Sequence, residues 1–173
     1  MEALKEILMM TIPAVIVLYA VFLVVRSLIG KEFSAQLANM KLENSKTVLP
    51  NRLQAYERMA IYLERITPNN LILRLNENGY TVAQLRELLI VSIREEFQHN
   101  LAQQVYVSDT AWEMVRTAQE NMVSLIKEAS VDIDPEAPSI ELAKRIFEKV
   151  MEMQQEPTAE ALRVLKNEIR TLF

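Results

Sequence analysis

Two patterns of hydrophobic and polar positions divide this chain. Residues 7–25, reading ILMMTIPAVIVLYAVFLVV, carry no charge, whereas from residue 31 onward apolar side chains recur every three or four positions among charged ones. The first pattern predicts a transmembrane helix over residues 7–29. At ~1.5 Å per residue, its uncharged core covers roughly 28 Å, close to the ~30 Å hydrocarbon layer of a bilayer, and Arg26 can snorkel so that Ser27 to Ile29 complete it. A cleaved leader is disfavoured. Lys5 is offset by Glu2 and Glu6, and no small-x-small site follows the apolar run. Pro13 falls in the first turns of the helix, where a missing N–H is tolerated.

The second pattern predicts helices almost throughout, because two glycines in 173 residues leave little room for hairpins. Residues 1–6 form a stub and residues 30–48 a juxtamembrane helix with Phe33, Leu37 and Met40 on one stripe. Pro50 is expected to end that helix and Asn51 to cap the next, in which Leu53, Tyr56, Met59, Ala60, Leu63 and Ile66 recur at helical spacing. Thr67-Pro68 opens a short helix to Leu75, closed by the turn Asn76-Glu77-Asn78-Gly79. Thr81 with Gln84 is a capping box opening a helix over residues 82–106, whose broad apolar surface places it centrally.

Ser108 or Asp109 caps a further helix with Trp112, Val115, Ala118, Met122, Leu125 and Ile126 in stripe. After a loop with Asp132, Asp134, Pro135 and Pro138, Ser139 starts another bearing Ile140, Ala143, Phe147 and Val150. Pro157-Thr158 breaks it before a last helix with Leu162, Leu165, Ile169 and Leu172. The expected fold is all-α: an N-terminal transmembrane helix continuing into a cytoplasmic helix, then an antiparallel bundle of about five helices over residues 49–173.

Charge refines the picture. Residues 26–74 hold eight basic and four acidic side chains, while the remainder to Phe173 holds ten basic and seventeen acidic. The basic excess after the apolar run favours a cytoplasmic C-terminal domain on the inner membrane. The acidic distal part argues against nucleic acid as a partner. The absence of cysteine agrees with a reducing compartment and excludes a cysteine nucleophile.

Candidate chemistry is sparse. Glu96-Phe97-Gln98-His99 is the E-x-x-H spacing of ferritin-like di-iron bundles, but His99 is the single histidine, and such sites need a second one. Glu96, His99, Asn100 and Gln104 therefore read as a polar network on a helix face, with His99 bonded to a neighbouring helix. With glycine only at positions 30 and 79 there is no nucleophile elbow, phosphate loop or dinucleotide fingerprint. No catalytic residue, metal ligand or cofactor is assigned. Arg52, Arg58, Arg65 and Arg74 are candidate contacts for lipid headgroups or a partner.

The stretches AYERMAIYLERITPNNLILRL, REEFQHNLAQQVYVSDTAWEMV, AKRIFEKVMEM and ALRVLKNEIRTLF resemble an uncharacterised family of short, membrane-anchored helical proteins of Bacteroidota, a domain of unknown function. The resemblance implies architecture and lineage and transfers no catalytic residue. The functional expectation is a membrane-tethered, non-enzymatic adaptor or scaffold on the cytoplasmic face of the inner membrane, binding a protein partner or a second copy of itself. The alternative is an accessory or regulatory subunit of a larger membrane complex, with Pro50, Pro68 and Gly79 interrupting the continuous helix that a stalk subunit would keep.

Overall fold

The computed structural model describes the backbone of residues 2–171 and the side chains of residues 9, 15–27, 36, 46 and 48–171. These residues form seven helices and no strand. They are α1 (Glu2–Arg65), α2 (Pro68–Leu75), α3 (Val82–His99), a 3-10 helix (Leu101–Val105), α4 (Asp109–Ala129), α5 (Ser139–Glu152) and α6 (Ala159–Arg170). The chain divides into two compact units, Met1–Leu49 and Pro50–Phe173.

In the first unit the expected transmembrane helix is corrected. All eleven described side chains from 15 to 25 are apolar and exposed, the ten large ones between 45% and 69%. Among the described residues no helix is long and apolar enough to cross a membrane. The side chains of residues 7, 8, 10–14, 28 and 29 lie outside the described residues, as do Phe33, Leu37 and Met40 of the expected juxtamembrane stripe.

Pro50 does not end a helix, and Asn51 does not cap one: both lie inside α1. A proline there has no N–H to offer Lys46 O and crowds that carbonyl, at a cost of ~3 kcal/mol. The next turns offset it by burying Ala55, Tyr56, Met59, Tyr62 and Leu63.

The second unit packs around one apolar cluster. α3 contacts α2, α4 and α5, and α4 contacts α5 and α6. Leu85, Leu89 and Ile93 of α3 belong to that cluster with Met59 and Leu63 of α1, Val115, Met122 and Ile126 of α4, and Leu142 of α5, all fully buried. The capping box at Thr81 and Gln84 forms as expected. The first turn of α3 gains two further partners, because the Val82 and Ala83 N–H groups donate to Ala137 O and Pro135 O at 2.9 and 3.0 Å. Thr67 precedes α2 without capping it; its hydroxyl turns back to donate to Glu64 O at 2.8 Å.

The helix expected over residues 82–106 breaks at Asn100. Its side-chain Nδ2 donates to Glu96 O at 2.8 Å, competing with the backbone for that carbonyl, and the chain tightens into the 3-10 helix. Ser108 caps α4 by accepting from Ala111 N at 3.1 Å. Ile140, expected in the α5 stripe, is half-exposed, and Leu172 lies outside the described residues.

Candidate functional site

The clearest convergence of charged side chains joins α1, α2 and α3. Arg65 sits in the last turn of α1, Arg74 in the last turn of α2 and Glu96 in the last turns of α3. Arg65 Nε donates to Glu96 Oε1 at 2.8 Å, and Arg65 Nη2 pairs with the same oxygen. Arg74 Nη1 donates to Oε1 at 3.0 Å, while Arg74 Nη2 reaches Ser92 Oγ at 3.4 Å. Partial burial pushes the Glu96 carboxyl up, but the hydrogen bonds and positive charge of Arg65 and Arg74 outweigh it and hold the group below the usual carboxylate range.

Beneath this cluster lies an orphan. Tyr62 is 1% exposed, and its hydroxyl has no hydrogen-bond partner among the described residues. Burial, reinforced by the negative charge of Glu96, raises its ionisation far above the normal phenol range. Its ring lies 6.0 Å from that of Phe97, which stacks on Trp112 at 5.3 Å. An open cleft of about 450 Å³ is lined by Arg58, Ile61, Tyr62, Arg65, Glu96 and Asn100. Ile61 is half-exposed there.

The expected residues separate into distinct roles. Arg65 and Arg74 are engaged by Glu96, and Arg52 is turned toward another network. Arg58 lines the cleft in no ion pair among the described residues. Glu96 and Asn100 are neighbours, with Asn100 bonded to the Glu96 backbone. His99 and Gln104 are exposed, and neither makes a side-chain hydrogen bond among the described residues, so the expected His99 bond to a neighbouring helix is corrected. No group of three or more His, Cys, Asp or Glu among the described residues is placed to hold a metal ion.

Sequence reasoning missed the second network, centred on Glu168 of α6. Glu168 accepts from Tyr56 Oη at 2.5 Å, Ser108 N at 3.1 Å and Ser108 Oγ at 2.8 Å. Arg52 Nε donates to Tyr106 O at 3.2 Å and its Nη2 to Tyr56 Oη at 3.4 Å. Burial first, then the bond to Glu168, raises the Tyr56 ionisation. These contacts span separations of up to 112 residues, and the local signal was limited to Ser108 as a cap. This cluster ties α1, α4 and α6 together.

No curated protein and no solved structure matches the chain. A family of unknown function, DUF7935, matches it over residues 2–172. The chain belongs to that family.

Proposed function

We propose that this protein is a membrane-tethered, non-catalytic helical interaction module, presenting its second unit to a protein partner at the cytoplasmic face of the inner membrane in a Bacteroidota cell. The observation that carries the tether is the run of exposed apolar side chains at residues 15–25. Each large one removed from water gains ~1.5–3 kcal/mol, so the run favours an apolar phase strongly. A patch of this kind on a folded chain marks a membrane or protein contact. In the second unit, half-exposed Ile61 flanked by Arg58 and Arg65 supplies an apolar anchor with a polar rim, the anatomy of an interaction surface.

The alternative, an accessory subunit of a larger membrane complex, gains from one observation: the backbone is helical through Pro50, so one of its expected interruptions is absent. Flotation of the purified full chain with liposomes tests the tether. Wild type is expected to float with the vesicles, and a variant carrying Leu18→Arg and Phe22→Arg to float less. Wild type left in the aqueous fraction would remove the tether from the account.

A further inference from the structure

The turn between α2 and α3 carries chemistry that neither network uses. Asn78-Gly79 is the single Asn-Gly step in the chain. Glu77, Asn78 and Gly79 are all exposed. Gly79 holds φ 96° at the third position of the turn closed by Tyr80 N–H donating to Glu77 O at 3.4 Å. A Cβ placed on Gly79 would meet no atom within 4 Å. Among the described hydrogen bonds, the Gly79 N–H donates to nothing and the Asn78 side chain takes part in none. The other described asparagines differ. Asn51, Asn69, Asn70, Asn121 and Asn167 lie within helices, the Asn76 amide oxygen accepts from Ser139 Oγ at 2.7 Å, and the Asn100 side chain donates to Glu96 O at 2.8 Å.

We infer that Asn78 is a self-modification site, converting to isoaspartate and aspartate in the folded protein. The Gly79 nitrogen attacks Cγ of the Asn78 side chain, forming a C–N bond. The Cγ–NH2 bond breaks, and the amino group leaves as ammonia with the proton from the Gly79 N–H. Water then opens the cyclic imide at either carbonyl, giving aspartate or, with one extra backbone methylene, isoaspartate. Glycine permits the attack because no side chain shields its nitrogen and no neighbour crowds it.

The placement gives the change a structural reach. Both ends of the turn are tied to the first residue of α5: Tyr80 O accepts from Ser139 N at 2.9 Å, and Asn76 holds the Ser139 hydroxyl. A longer backbone between those two anchors strains them, and the new carboxylate sits in a cleft shared with Glu77 and Glu136. Conversion therefore loosens the junction of α2, α3 and α5.

The full chain, incubated natively at mildly alkaline pH, tests this by peptide mapping with mass spectrometry and by methyl-ester labelling with an isoaspartate methyltransferase. Asn78 is expected to convert while Asn76 and Asn121 stay intact, and Asn78→Gln to abolish the labelling. Backbone amide exchange at Val82, Ala83 and Ser139 is expected to speed up in the converted protein. Asn78 remaining intact in the folded chain, whether or not it converts in denaturant, would overturn the site. Conversion with unchanged exchange at those three amides would overturn its structural reach.

Discussion

Replacing Tyr62 by Phe is expected to stabilise the protein, against the usual sign for a core substitution. The Tyr62 ring is buried, faces Phe97 at 6.0 Å and fills its space with or without the hydroxyl. The hydroxyl itself has no partner among the described residues. A buried, unsatisfied polar group costs ~1–3 kcal/mol, and its removal leaves no opposing group unpaired. The gain is therefore ~1–3 kcal/mol, roughly 4 °C in Tm per kcal/mol for a domain of this size. Trp112, the single tryptophan, stacks on Phe97 next to Tyr62 and reports the local transition by fluorescence. Thermal and urea unfolding of wild type and Tyr62→Phe are the assay. A Tm equal to or below that of wild type would refute the reasoning, since the hydroxyl would then be engaged.

Three further substitutions probe the two networks and the core. Leu89→Ala is expected to cost ~2–5 kcal/mol in urea unfolding, because Leu89 is fully buried in α3; a loss below ~0.5 kcal/mol would misplace the core. Glu96→Gln is expected to lower stability by ~1–2 kcal/mol at pH 7, given partial exposure and two arginine partners. Because the folded Glu96 carboxyl is held low, its contribution is present above the ordinary carboxylate value and lost as pH falls through the depressed one. The gap between Glu96→Gln and wild type should thus close below about pH 4, and a gap constant with pH would contradict the ion-pair origin. Glu168→Ala strands Tyr56 Oη and Ser108 N together, so a loss of ~2–3 kcal/mol is expected, and an additive double mutant with Tyr56→Phe would show the network to be uncoupled.

Local signals carried most of the helices and failed where distant contacts decide. The capping box at Thr81, the cap at Ser108 and the Thr67-Pro68 opening were legible because each depends on residues within one turn. Pro50 misled because burial of the stripe from Ala55 to Leu63 holds α1 together beyond it. Asn100 was not read as a helix end, since its capping bond to Glu96 O looks the same in sequence as any polar residue on a helix. The arginines at 65 and 74 stood out as cations, but their common partner Glu96 comes from another helix, so they read as contacts for headgroups or a partner. Glu168 gave no local signal because its three donors come from α1 and the start of α4.

In-cell crosslinking of the full chain, followed by membrane fractionation and mass spectrometry, tests tethering and partner binding together. Recovery in the membrane fraction is expected, with intermolecular crosslinks concentrated on residues 50–171. Recovery in the aqueous fraction, or links confined within one chain, would contradict the proposed function.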